Sequence, residues 1–296
     1  MPIPESQLDT WAKQGSITQS QATYKTVRGV LEGSDAAYAK RDYAIFLQGS
    51  YGNDTNIYAD SDVDVVIRMD DIHYTDLDAL SDEDKAAYQA ARTTAEYSYK
   101  TFKSEIITQL TKHFGSDVDP GNKAVLVKGN GSRRDADVLP CVLLRKYTRF
   151  KSWNDRRYIE GFCFWDAKGA MIINYPKQHS ENCTTKHQST NAWFKPLVRI
   201  VKNMRNAMID DGYLNEGIAP SYFLEGLLYN VPKSKFGTSY EDTFIKAINW
   251  IIETDRSKFV CANEQYYLCH PTSPVTWRKE NLQTFLDAAT KYWKDW

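Results

Sequence analysis

A chain of 296 residues with 37 Lys plus Arg against 38 Asp plus Glu carries a formal charge of −1. That balance excludes a surface built mainly to grip a long nucleic acid, which needs a basic excess or stripe to neutralise phosphates, and leaves room only for a local basic pocket. With 42% apolar and 25% charged residues, the composition is that of a globular protein of one or two domains with a sizeable core, neither disordered nor membrane-embedded.

No apolar run approaches the roughly 18–20 residues of a membrane span. The N-terminal stretch MPIPESQLDTWAKQG has neither the basic nor the apolar region of a secretory signal. Five scattered cysteines make no disulfide framework. The expectation is a cytoplasmic protein.

In chain order, apolar spacing predicts a helix over 16–31, with Ile17, Tyr24, Val27 and Leu31 along one side. A strand over 43–47 stops at Gln48-Gly49-Ser50, a glycine-containing turn. Residues 60–69 then alternate strictly: Asp62, Asp64, Val66 and Arg68 share one strand face, and Val63, Val65, Ile67 and Met69 the other. One long helix is expected from the Ser81-x-x-Asp84 cap to Gly115. Asn130-Gly131 predicts a hairpin between strands at 124–128 and 134–144. A second hairpin pairs 158–165 with 171–175. The polar segment 177–190 reads as a loop. Beyond Asn191 the periodicity is helical, with Phe194, Leu197, Val201, Met204 and Met208 on one stripe and further stripes over 222–228, 244–252 and 282–293. The fold expected is α+β: a mixed sheet with flanking helices over 1–185 and a helical domain over 186–296, with a cleft between them for a small-molecule site.

Three features carry chemistry. A Gly49-Ser50 turn after a strand lets backbone N–H groups and a hydroxyl approach a phosphate closely. Asp62 and Asp64, two apart on a strand, project to the same side about 7 Å apart and suit divalent cations. A third carboxylate is expected from the stretch Arg133-Arg134-Asp135-Ala136-Asp137, because two-metal phosphoryl transfer needs one. Alternation does not choose between Asp135 and Asp137, which share a face; the apolar residues after Asp137 place it nearer the strand proper, with Asp135 at the rim. His179, Cys183 and His187 would align as zinc ligands on a helix, but their surroundings read as loop and offer no fourth ligand. Cys261, Cys269 and His270 lack a second pair and read as structural.

Gln48-Gly49-Ser50, Asp62-x-Asp64 and Asp137-Val-Leu-Pro140 together resemble the DNA polymerase β-like nucleotidyltransferases. Within that superfamily, residues 49–57, 194–202 and 220–225 resemble the bacterial CD-NTases, the cyclic GMP-AMP synthase-like enzymes of anti-phage CBASS signalling and relatives of the animal oligoadenylate synthetases. The resemblance implies a polymerase β-like catalytic domain making a cyclic di- or trinucleotide from nucleoside triphosphates, ATP among them. It implies that Asp62, Asp64 and Asp137 are catalytic and hold two Mg²⁺ ions, replaceable by Mn²⁺, with Asp137 nearest the acceptor hydroxyl. Gln48, Gly49 and Ser50 would cradle the donor triphosphate, Lys202 would contact phosphate, and Ser221 and Tyr222 would sit at the nucleotide. Tyr222 either stacks on a base or packs as a core aromatic. Asn174 and Asn182 are candidates for a base edge. A regulatory partner protein and a separate effector that reads the product are implied as well. One departure stands out: related enzymes often carry Gly-Thr where this chain has Asp54-Thr55. The alternatives are a linear oligonucleotide synthetase, a transferase acting on another acceptor, and a non-catalytic nucleotide-sensing scaffold.

Overall fold

The computed structural model describes residues 2–15, 17–58 and 62–296. In chain order its elements are α1 (Glu5–Ala12), α2 (Thr18–Leu31), β1 (Tyr43–Leu47), the single turn α3 (Gly49–Gly52), β2 (Val63–Asp76), α4 (Asp82–Ala91), α5 (Tyr99–Phe114), β3 (Val118–Pro120), β4 (Val125–Val127), β5 (Ala136–Ser152), β6 (Asp155–Trp165), β7 (Met171–Asn174), α6 (Pro176–Ser189), α7 (Phe194–Asp210), α8 (Ser221–Tyr229), α9 (Tyr240–Glu253) and α10 (Lys279–Asp295). They form two units, one of Ile17–Gln48 with Ser61–Tyr175, the other of Met1–Ser16, Gly49–Asp60 and Pro176–Trp296.

The first unit is built on a mixed sheet ordered β1-β2-β5-β4-β3, with β6 added to β5 and β7 to β6. Its centre is the parallel pair β2–β5; the other pairings are antiparallel. Val63, Val65, Ile67 and Met69 of β2 are fully buried, as the alternation predicts, and Val66 on the opposite face is covered too. A one-residue slip of this strand would bring carboxylates into the core, so the pattern itself pins the register. Both expected hairpins are present as β4–β5 and β6–β7. Gly161 on β6 has no room for a side chain: an added Cβ would lie 2.7 Å from the Asn174 carbonyl oxygen and 2.8 Å from the Tyr175 ring. Gly161→Ala is therefore expected to cost about 1–3 kcal/mol, read as a lower urea midpoint at unchanged slope.

Where one helix is expected over 81–115, the chain forms two. α4 ends at Arg92 in extended backbone, and Ser98 opens α5 by accepting from the Thr101 N–H at 3.1 Å. The break is held by tertiary contacts: the Tyr97 hydroxyl donates to Glu105, and the Arg41 guanidinium lies 3.3 Å from the centre of the Tyr97 ring. Segment 177–190, read as a loop, is the helix α6. Proline stands at its first position, where no N–H is needed, and burial of His179 and Cys183 on one face stabilises a sequence of weak intrinsic helicity.

The second unit is helical. The predicted stripe of α7 is buried throughout, in one core with Ile3, Leu8 of α1, Leu224 and Leu228 of α8, Phe244 of α9 and Phe285 of α10. The N-terminal residues belong here: the Glu5 carboxylate accepts from the Tyr240 and Glu241 N–H groups at the start of α9, and Arg199 Nε donates to the Ala12 carbonyl. Beside the boundary expected at 185/186, the two units divide at 175/176, and the described residues 2–15 and 49–58 belong to the helical unit. Among the described residues no helix is long and apolar enough to cross a membrane.

Candidate active site

Parallel pairing of β2 and β5 sets Asp64 directly opposite Asp137, between the pairs Val63–Ala136 and Val65–Val138. The Val63 N–H donates to the Asp135 carbonyl at 3.0 Å and fastens the start of the pair. Asp62 is the residue just before β2; it is exposed, whereas Asp64 and Asp137 are half-buried. Burial pushes the Asp137 carboxyl above its usual range, and the nearby charges of Asp62 and Asp135 push it the same way. Crowded hard oxygens of like charge are the donor set that a divalent cation relieves. Asp135, which alternation left as an option, is turned back: its Oδ1 accepts from the Gly129 N–H at 2.6 Å.

The Gln48 N–H donates to the Asp64 carbonyl at 3.0 Å, and Gln48 Oε1 is buried without a hydrogen-bond partner. Arg133, next to the acidic strand, is spent within the hairpin, donating to Asp117 and to the Lys128 carbonyl.

In the helical unit, residues 49–56 form a tightly fastened loop. Gly49 takes φ 65°, a backbone that glycine adopts without strain. The Asn53 N–H donates to the Gly49 carbonyl and the Thr55 N–H to the Ser50 carbonyl. Asp54 sits at φ 55°, in the left-handed region that favours glycine. Its strain is offset by an ion pair with Lys195 at 3.0 Å and by Arg199, which donates to the Asp54 carbonyl at 2.8 Å. Gln14 donates to the Asn56 side chain, and the Gly15 N–H to the Asn56 carbonyl.

Lys202 belongs to the same fastening. The sequence reading puts it on a phosphate; in the structure it is 0% exposed and donates to the Thr55 carbonyl at 3.0 Å. The period of α7 turns it inward rather than toward solvent. Ser221 opens α8, and its hydroxyl accepts from Arg205 at 3.2 Å. The Tyr222 ring stacks on His179 with centroids 4.9 Å apart, its hydroxyl accepts from Asn263, and burial pushes the phenol well up. Asn182 donates to the Ala262 carbonyl at 2.8 Å, which occupies its amide; Asn174 lies on β7 opposite Phe162.

Glu225 was passed over, although a single carboxylate in the apolar run of α8 is a visible signal. It is 3% exposed, and its carboxylate accepts from the Thr55 hydroxyl (2.5 Å), Asn53 (3.2 Å) and His179 Nε2 (2.6 Å). Burial alone would raise its pKa, but these bonds and the charge of Lys202 outweigh that and hold it below the ordinary range. Ligand atoms of His179, Cys183 and Glu225 lie within 4.8 Å of one another. His187 is not among them; its Nδ1 accepts from the Lys195 N–H instead. Within the trio His179 donates to Glu225, and burial pushes the Cys183 thiol far above its usual range.

Residues 181–294 match the model of the cGAS/DncV-like nucleotidyltransferase C-terminal helical domain. The cyclic UMP-AMP synthase of Rhodothermus marinus is 39% identical over 298 residues, covering 100% of this chain and 99% of that one. Its structure with Apcpp and Upnpp superposes with a TM-score of 0.89, covering 100% of this chain and 98% of that one. The cyclic dipurine nucleotide synthase of Elizabethkingia meningoseptica is 35% identical over 279 residues, covering 93% of this chain and 94% of that one. Likeness of this degree along the whole chain means that the protein belongs to the CD-NTases, the cGAS/DncV-like nucleotidyltransferases that synthesise cyclic nucleotides.

Proposed function

We propose that this chain joins two nucleoside triphosphates, ATP among them, into a cyclic dinucleotide at Asp62, Asp64 and Asp137, as a messenger of anti-phage signalling in the cytoplasm. The observation that carries the reading is the parallel register that sets Asp64 beside Asp137 with Asp62 one residue before β2. These hard oxygen donors fit Mg²⁺; two such ions, replaceable by Mn²⁺, would supply charge neutralisation at the triphosphate and at the acceptor hydroxyl.

Asp137 would orient the acceptor hydroxyl for in-line attack on the donor α-phosphorus, with pyrophosphate as the leaving group. Gly49 and Ser50 follow Gln48, whose N–H is held on Asp64, and would present N–H groups and a hydroxyl to the donor triphosphate. Ser221 and Tyr222 are assigned to the nucleotide, and Lys202 to the loop that carries Gly49 and Ser50. A second transfer closes the ring. Most of the rate would come from positioning and charge stabilisation rather than covalent chemistry. Ring closure is common to both curated relatives while their bases differ, so the reaction class is the part of the reading that they support. A separate effector would read the product, and a regulatory partner would control the enzyme.

Incubation with all four triphosphates and Mg²⁺ or Mn²⁺, followed by phosphatase treatment and mass spectrometry, tests the proposal. The expected outcome is a phosphatase-resistant dinucleotide two water-free linkages in mass from its monophosphates. A product that shortens to a nucleoside terminus under phosphatase would identify a linear synthetase instead.

A further inference from the structure

A carboxylate in the middle of an apolar helix is costly to bury unless fully hydrogen-bonded. Glu225 lies between Leu224 and Leu227, both 0% exposed, where a leucine would pack without that cost. What the charge holds is the stretch after the Gly49-Ser50 turn: the Thr55 hydroxyl and the Asn53 amide both donate to it. The Thr55 N–H in turn donates to the Ser50 carbonyl, and the Asn53 N–H to that of Gly49, so each Glu225 partner is tied by its backbone to one residue of the turn. The same helix begins with Ser221 and Tyr222, and His179 links its first turn to its middle, stacked on Tyr222 and donating to Glu225.

We infer that Glu225 is a positioning residue that sets the Gly49-Ser50 turn at a fixed distance from Ser221 and Tyr222, pre-organising the nucleotide-binding backbone of the helical unit. This rests on the assignment of Gly49 and Ser50 to the donor triphosphate. Glu225 touches no reacting atom; it acts through the Thr55 hydroxyl. Loss of the contact leaves the loop free to sample other arrangements before a nucleotide binds, which lowers affinity without removing any group from the chemistry.

Thr55→Val removes the hydroxyl at nearly constant volume, Thr55→Ser keeps it, and Glu225→Gln removes the charge. The readouts are calorimetric affinity for a non-hydrolysable ATP analogue with Mg²⁺, KM and kcat for pyrophosphate release, and melting of the nucleotide-free protein. Thr55→Val is expected to weaken analogue binding and raise KM about tenfold, the worth of one hydrogen bond to a charged group, with kcat changed less than about threefold. Thr55→Ser should restore both to within about twofold, and Glu225→Gln should reproduce the Thr55→Val pattern. Wild-type affinity and KM in Thr55→Val would overturn the inference, as would a Thr55→Ser variant that loses as much as Thr55→Val. If Glu225→Gln does not fold, the Thr55 pair decides alone. Analogue binding by the wild type without pyrophosphate release would count against the catalytic reading only, because the binding comparison stands apart from turnover.

Discussion

Replacing Asp64 and Asp137 together by Asn is expected to cut pyrophosphate release from nucleoside triphosphates by about 10³-fold or more, since carboxylates that act as a unit are lost as a unit. The fold should survive. Both side chains are half-buried at one end of the β2–β5 pair, whose register is set by the valines around them. Burial and the charges of Asp62 and Asp135 disfavour the ionised form of Asp137, so that in the metal-free protein its charge opposes folding. Asp137→Asn should therefore melt at the wild-type temperature or above it, while activity disappears. A single melting series with a turnover assay reads both effects, and a variant that melts much earlier would mean that Asp137 holds the sheet together.

Lys202→Met is expected to have the opposite profile. Its ammonium is fully buried, donates to the Thr55 carbonyl and helps to keep Glu225 ionised. Methionine retains the stem but leaves that carbonyl and that carboxylate short of a partner, a loss of about 3 kcal/mol for a broken buried charge pair. For a chain of this size the nucleotide-free melting temperature should fall by roughly 5 °C. A lysine reaching a phosphate through solvent would give the reverse: unchanged melting without nucleotide and a raised KM. Differential scanning calorimetry with and without an ATP analogue separates the two.

The contrast between these residues shows where sequence reading holds. Asp62 and Asp64 were legible because period-two alternation with buried valines is a local pattern, and local patterns fix which face a residue occupies. The inward placement of Lys202 was not legible for the converse reason: a lysine on an amphipathic helix ordinarily faces water, and only the return of Thr55 and Glu225 to its side makes an inward ammonium stable. Polar α6 was missed because its helicity comes from burying His179 and Cys183, and the break at 92–98 because Arg41 captures the Tyr97 ring from far earlier in the chain.

By itself the sequence determined the α+β class, the two hairpins, the apolar stripes of the C-terminal helices and the buried face of β2, all of them consequences of short-range period and turn chemistry. Tertiary structure decided the choices that depend on partners far along the chain. It set Asp137 opposite Asp64 in parallel register, folded residues 49–58 into the helical unit, and brought Glu225 onto a loop 170 residues earlier. Parallel strand register and buried polar networks form only when distant segments meet, so no local pattern encodes them.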